Sequence, residues 1–179
     1  MFDQMLYDSL KIWYSDQINA DRFGEIILGK KVSLRVYNWF VTNYAKSHNV
    51  MYNHIKDNVS RLIIVYHEYI AQCRVYHKSN FDPICRTTSL GLLIPIKVNY
   101  NGSETIINTN LAQMAFFKWA ISNAVDQYIE KHIDAIKEDI AHFKKSVSEG
   151  IIKPKRGRTS ASEDSYSSVQ IIDTKEYFN

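Results

Sequence analysis

The sequence has few of the residues that build cross-linked or irregular structure. Its 179 residues include two cysteines, three prolines and six glycines. Two cysteines do not make a disulfide framework, so the composition predicts a reducing compartment. The longest unbroken apolar run, Leu62–Tyr66, is too short to cross a bilayer. The N-terminal residues lack the basic start and apolar stretch of a signal peptide. We therefore expect a soluble intracellular protein.

The sequence also has no large excess of positive over negative charge. The net charge is +3, and residues 151–179 hold five basic and four acidic side chains. Residues 1–150 hold the other seventeen and fifteen, so no wide basic face is expected there, and a local patch remains open. We predict a globular α+β domain over 1–150 that ends in a long helix, followed by a basic, serine-rich flexible tail over 151–179.

The most apolar stretch is residues 32–52. A helix over Ser33–Ser47, with Ser33 as N-cap, places apolar side chains around most of its circumference. Such a helix is expected to be buried by its neighbours. The polar side chains left over are spaced three, four and four residues apart, which predicts a single line along the helix. They are Arg35, Asn38, Thr42 and Lys46.

Other segments predict a mainly helical fold. Residues 2–14 form an amphipathic pattern with Met5 on the apolar side, and a break is expected at Asn19–Asp21. A short helical turn should end at Gly29. The β-branched run near 61–67 predicts a strand that leads into a helix near 68–78, and a turn is expected over 80–83.

The strongest strand signal surrounds Asn101-Gly102, a dipeptide that favours a two-residue hairpin turn. The flanking strands are expected over Leu90–Tyr100 and Thr105–Asn108. Pro95 restricts the first of them to a sheet edge. The fold class that follows is α+β, a mostly helical single domain with a small antiparallel sheet.

No glycine or proline interrupts residues 110–148, which predicts a long helix opened by Asn110 and Gln113 as a capping box. Its second half carries apolar residues at alternating steps of four and three, a heptad seam. A long helix lying across its own domain and a coiled-coil or dimer contact both fit this pattern. The seam consists of Ile129, Ile133, Ile136, Ile140, Phe143 and Val147.

The tail contains a compact basic cluster at Lys153, Lys155, Arg156 and Arg158. Such a cluster fits a nuclear import signal, a nucleic-acid anchor or a merely solubilising tail. Four cations neutralise about four phosphates at most, which gives weak and salt-sensitive binding.

Signatures of catalysis are missing from the chain. It has no glycine-rich phosphate loop, no nucleophile elbow and no H-E-x-x-H pair. The residue types of His67, Cys73, His77 and Cys85 could bind zinc, but their spacing fits no familiar zinc finger. We therefore predict no enzyme, no metal site and no cofactor.

Three segments carry a family resemblance. They are the run from Val32 to Lys46 containing W-F-V-T-N-Y, the turn F-D-P-I-C-R at 81–86, and Q-M-A-F-F-K-W-A at 113–120. In this order they resemble a small conserved protein of nucleocytoplasmic large DNA viruses, over roughly residues 23–130. Ile84 and Thr87 depart from that pattern, which expects Phe and Arg there. The resemblance implies a viral origin and a host such as a protist or alga, and it supplies no mechanism.

These observations predict a non-enzymatic viral protein that acts by binding. The first hypothesis is association with nucleic acid through Arg35, Lys46, Arg86 and Lys118, assisted by the basic tail. The alternative is a virion structural or assembly protein that uses the long helix for contact with itself or another viral protein. Either function is expected in the host cytoplasm or nucleus, with packaging in the virion left open and no membrane partner.

Overall fold

The computed structural model describes residues 2–85 and 93–152. One compact unit ends at Ile133 and a second begins at Asp134. The helices are α1 (Phe2–Tyr14), α2 (Gln17–Gly29), α3 (Leu34–Trp39), α4 (Ala45–Ser47), α5 (Val65–Tyr76), α6 (Leu111–Ser122), α7 (Val125–Lys131) and α8 (Ile133–Ser148). The strands are β1 (Met51–Lys56), β2 (Val59–Ile64), β3 (Ile94–Tyr100) and β4 (Ser103–Thr109). This mixture of helices with small antiparallel sheets confirms the α+β class.

The first helix lies where the sequence predicts it, but its buried face is different. Leu6, Leu10 and Tyr14 are buried, whereas Met5 is 69% exposed. The expected break at residues 19–21 is also wrong, because these residues lie inside α2. The chain breaks earlier, where the Asp16 carboxylate accepts a hydrogen bond from the Ile18 N–H at 2.9 Å and opens the helix.

The apolar stretch is buried as expected, but it is not one regular helix. A π-helical segment, Phe40–Tyr44, lies between α3 and α4. Its wider turn rotates the side chains that follow by about one residue, or roughly 100°. Lys46 therefore leaves the line defined by Arg35 and Asn38, so the prediction of a single polar strip is wrong. Ser33 occupies the N-cap position of α3 without a side-chain hydrogen bond.

A hairpin that the sequence analysis missed follows this helix. Strands β1 and β2 pair antiparallel, with Met51 opposite Ile64 and Lys56 opposite Val59. The turn residues Asp57 and Asn58 both have positive φ, 51° and 62°. Aspartate and asparagine tolerate this left-handed conformation better than most residues do. The predicted strand near 61–67 is confirmed in position, but it ends at Ile64 because α5 begins at Val65.

The predicted hairpin is confirmed. Strands β3 and β4 pair around Asn101-Gly102, whose φ values are 51° and 78°. Pro95 lies on an edge strand, since each of these sheets has two strands. Helix α2 packs against β3 so closely that a Cβ added at Gly24 would lie 2.9 Å from the Cβ of Val98.

The stretch 110–148 is divided into three helices, so the prediction of one long helix is wrong. Ala124 adopts a left-handed conformation with φ 55°, and α7 ends at Lys131, with His132 as its C-cap. The Asn123 side chain donates to the Trp119 carbonyl at 2.8 Å, and the Asn123 carbonyl accepts from the Tyr52 hydroxyl at 2.8 Å. These bonds satisfy polar groups that a continuous helix would have used internally.

Helix α6 lies at the centre of the core. Its Phe116, Phe117 and Trp119 side chains are buried, and Phe117 contacts the rings of Phe23 and Tyr37 at centroid distances of 5.6 and 5.3 Å. Burial on nearly all sides explains why this helix has no polar stripe.

Candidate binding surface

Two of the three segments that carry the family resemblance meet in the interior. Phe81 is fully buried, and its ring lies 5.4 Å from the ring of Phe116 and 5.7 Å from that of Trp119. The Gln113 side-chain amide donates to the Pro83 carbonyl at 3.1 Å. The side chain of Asn110 caps α6 by accepting from the Gln113 N–H at 3.0 Å. These side chains therefore hold the fold together.

Several polar groups of the same segments are also occupied locally. The Asp82 carboxylate accepts from the Ile84 N–H at 2.9 Å. The Thr42 hydroxyl donates to the Asn38 carbonyl at 2.7 Å. Lys118 is half-buried, which lowers the pKa of its ammonium group, and this group lies 3.3 Å from the Ser9 hydroxyl. The structure does not bring Lys118 to the surface that contains Lys46.

Exposed cations of the predicted binding set are Arg35 on α3 and Lys46 on α4. Arg86 and the tail cluster Lys153, Lys155, Arg156 and Arg158 lie outside the described residues. Their assignment to nucleic-acid binding stays a prediction.

The predicted heptad seam is split by the helix break. Ile129 lies in α7 and is buried, whereas Ile133, Ile140, Phe143 and Val147 lie in α8 and are half-buried. Ile136, also in α8, is buried. The role of the seam in an oligomer stays a prediction.

An open cavity lies where two helix–strand junctions meet. At the first junction, the Val50 N–H donates to the Ala45 carbonyl at 3.0 Å and Asn49 has φ 48°, so a Schellman motif ends α4. At the second, β2 passes directly into α5. The Val65 N–H donates to the Val50 carbonyl at 3.2 Å and ties the two junctions together.

We call this space the hairpin cavity. Its volume is about 430 Å³, and its lining residues are Ala45, Lys46, Asn49, Met51, Ile64, Tyr66 and His67. The Lys46 ammonium lies 5.5 Å from the centroid of the Tyr66 ring, within cation–π range. No carboxylate is among the lining residues. The cavity thus joins an aromatic ring, a cation and polar groups on an apolar floor.

The hairpin beside the cavity exposes one apolar face. Met51, Ile55 and Leu62 point to the same side of the β1–β2 sheet by their pairing register, and they are 55%, 71% and 51% exposed. We call these three residues the hairpin apolar face. Exposed apolar groups concentrated in this way are typical of contact surfaces.

The opposite face of this hairpin is held by the core. Ile63 is fully buried, and the Tyr52 ring stacks on the Tyr128 ring at 5.2 Å. The Arg61 guanidinium forms an ion pair with Glu68 at 2.6 Å. Burial raises the pKa of the Tyr52 hydroxyl above its ordinary value, chiefly because the phenolate would lose water. The inner face therefore fixes the hairpin while the outer face stays exposed.

A partly exposed ion cluster surrounds one buried carboxylate, Asp126. The Arg22 guanidinium contacts Asp126 at 2.7 Å, Glu130 at 2.9 Å and Glu25 at 2.9 Å. The Asp126 side chain is fully buried, and its second oxygen, Oδ1, has no protein partner. Burial raises the pKa of Asp126, and the opposing attraction of Arg22 does not cancel that effect. This cluster joins α2 to α7 and does not line the hairpin cavity.

The described residues form neither a metal site nor a helix that could span a membrane. Across residues 2–85 and 93–152, no three histidine, cysteine or carboxylate side chains are placed to hold a metal ion. Cys73 is buried, which raises the pKa of its thiol. The described helices are all too short or too polar to span a bilayer.

The fold and surface define a small α+β protein with an exposed hairpin next to a cationic, aromatic cavity. Residues 2–175 match the family described as "Family of unknown function (DUF7197)", and the chain belongs to that family. It is also similar to "Uncharacterized protein L507" of Acanthamoeba polyphaga mimivirus, with 36% identity over 117 residues.

That similarity covers 65% of this chain and 44% of the viral relative, so the chain spans less than half the length of the relative. No solved structure matches the chain. The comparisons confirm the coarser part of the resemblance, an uncharacterised viral protein family. The three segments as marks of that family stay a prediction.

Sequence reasoning selected Lys46 and named His67 only as a candidate zinc ligand, and it missed Asn49 and Tyr66. The strand prediction over 61–67 placed Tyr66 and His67 in the sheet, on opposite faces. The available signal was Asn49, because asparagine after a helix is a common left-handed C-cap. The predicted end of the helix at Ser47 agrees with the end of α4, so Asn49 would have marked the junction that follows it.

Proposed function

We propose that this viral protein acts by binding rather than by catalysis, and that its partner is nucleic acid. The observation that carries the proposal is the hairpin cavity, which combines Lys46, Tyr66 and His67 without a carboxylate. Cations that neutralise phosphates and aromatic rings that stack on bases are the two general means of nucleic-acid binding.

The interior gives further support. The fully buried carboxylate of Asp126 is paired with Arg22 instead of facing an opening. Active sites usually direct groups with displaced pKa values into a cleft. We therefore assign this pair to the stability of the fold.

The basic tail belongs to the same proposal. Lys153, Lys155, Arg156 and Arg158 would add phosphate contacts without reading sequence. Binding would then take place in the host cytoplasm or nucleus, where genomes and transcripts are handled.

Fluorescence polarisation with labelled oligonucleotides tests this function. The full chain is expected to bind, and the logarithm of its affinity should fall linearly with the logarithm of salt concentration. Replacing the four tail cations by glutamine should reduce that slope by about 3–4. A protein that shows no salt-dependent binding at concentrations up to about 10⁻⁴ M, the weak end of non-specific affinity, would refute the proposal.

The hairpin apolar face favours a second candidate, a structural or assembly protein. Here the surface formed by Met51, Ile55 and Leu62 would pack against another copy or another viral protein. Light scattering after gel filtration tests self-association, and Ile55→Asp should dissociate an oligomer held by this face. If Ile140→Asp dissociates it instead, the contact is the predicted seam on α8. A strictly monomeric protein that captures no viral protein from infected cells after nuclease treatment would exclude this candidate.

A further inference from the structure

We infer that the hairpin cavity binds one unpaired nucleotide of a single-stranded nucleic acid, with the base against Tyr66 and the phosphate at Lys46. This inference rests on the proposed function, because it names the part of the nucleic acid that the cavity accepts. It also makes a distinction that the proposed function does not make, between single and double strands.

The size and position of the cavity fit one nucleotide. Its volume of about 430 Å³ lies within the usual range of ligand sites, about 300–1,000 Å³. The cavity opens between two junctions and has the half-buried Tyr66 as a wall. A base inside a duplex is paired and has both ring faces covered by stacking. Only an unpaired base can present a face to a side-chain ring.

The lining supplies each contact that a nucleotide needs. Met51 and Ile64 are directly opposite each other in the β1–β2 register, so their side chains form a continuous apolar floor. Asn49 and His67 provide hydrogen-bonding groups for base edges. Because stacking tolerates every base, the inference predicts weak sequence preference.

Charge favours the same ligand. The Lys46 side chain is exposed, and its ammonium lies 5.5 Å from the Tyr66 ring centroid. A base that stacks on this face takes the place of the ammonium over the ring, and the flexible Lys46 side chain can then turn to the phosphate attached to that base. Among the described residues, those that line the cavity include no carboxylate that would repel a phosphate there.

The test uses the full chain and fluorescein-labelled oligothymidylate DNA, oligouridylate RNA and a duplex of the same length. Tyr66→Leu should weaken single-strand binding about 5- to 150-fold, the range measured for loss of one stacked base. Tyr66→Phe keeps the ring and should bind like the wild type. Lys46→Gln should lower the salt slope by about 0.7, the value for one contact to a single strand. The matched control is Lys11→Gln, which replaces an exposed lysine on α1. It should leave the salt slope of single-strand binding unchanged.

The outcomes separate this inference from the proposed function. If the wild type binds duplex as tightly as single strands, or if Tyr66→Leu binds like Tyr66→Phe, the inference is overturned while salt-dependent binding still supports the proposed function. If no probe binds, both are overturned. Binding to DNA alone or RNA alone, with the Tyr66 effect intact, supports the inference and identifies the source of the nucleotide. Circular dichroism of each variant checks that its fold is intact.

Discussion

Gly24→Ala should destabilise the protein, although alanine is the better helix former. An ideal Cβ at this position would lie 2.9 Å from the Val98 Cβ and 3.0 Å from its Cγ2. Val98 is fully buried in β3, and its Cβ is attached directly to the backbone, so it cannot rotate away. Overpacking of this kind costs about 1–3 kcal/mol. The helix must therefore move away from the hairpin.

Gly29→Ala is the matched control in the same helix. Its added Cβ would lie 3.7 Å from the Tyr100 hydroxyl oxygen, an ordinary contact. Gly29 is the last residue of α2, so its helix-propensity gain is smaller than the ~1 kcal/mol of a helix interior, and this variant should equal or slightly exceed the wild type. Comparing the two variants separates a substitution that meets a close contact from one that does not. The difference between them should be about 1–3 kcal/mol, or about 2–12 °C in Tm for a chain of this size.

Urea unfolding followed by circular dichroism measures both variants. The Gly24→Ala effect should shrink only in part in a Val98→Ala background, because the two Cγ methyl groups are gone but the Val98 Cβ, 2.9 Å from the new Cβ, remains. If Gly24→Ala is as stable as Gly29→Ala, α2 does not pack on β3 at this distance. The close approach inferred between helix and hairpin would then be wrong.

Three other variants test the core, a helix cap and the buried carboxylate. Phe81→Ala should lower the free energy of unfolding in urea by about 3–5 kcal/mol, whereas Ile84→Ala, at a partly exposed position, should lower it far less. Similar losses for the two variants would mean that the turn that contains Phe81 lies outside the core. Asn110→Ala should cost about 1–2 kcal/mol through loss of its cap, while Ser33→Ala, whose side chain makes no cap bond, should be near neutral. Burial raises the pKa of Asp126, so the native state takes up its proton at a higher pH than the unfolded chain. The free energy of unfolding of the wild type relative to Asp126→Asn should therefore increase as the pH falls from the folded pKa towards about 3.9. If the difference in unfolding free energy between the two proteins stays constant from about pH 7 to about pH 4, that direction is wrong.

The two hairpins show what local sequence can and cannot predict. Asn101-Gly102 was recognised because the turn needs positive φ at two successive residues and this dipeptide is the usual solution. Asp57-Asn58 adopts the same backbone conformation at greater steric cost. The flanking strands are exposed on their outer face, so their sequences lack a clear alternation of apolar and polar residues. The sequence signal was weak because little of this hairpin is buried.

The helix breaks depend on contacts that periodicity does not contain. Ala124 has a high helix propensity, yet it is left-handed at the break between α6 and α7. The hydroxyl of Tyr52, 71 residues away in sequence, bonds to the preceding carbonyl at Asn123. Burial of α6 was predictable from composition, whereas its end was set by the hairpin that packs there. The same hairpin creates the cavity, so the candidate site cannot be predicted unless the hairpin is predicted first.

The three segments that carry the resemblance and the cavity have different roles in the molecule. Phe81 and Gln113 of these segments, with the neighbouring cap residue Asn110, hold the fold together, and substitution there should affect stability before it affects binding. Tyr66 lies outside the three segments that carry the resemblance, and Lys46 ends the first of them. Loss of binding in a core variant would therefore be ambiguous, because unfolding also abolishes binding. Tyr66→Leu and Tyr66→Phe differ mainly at the cavity, so they can separate recognition from folding.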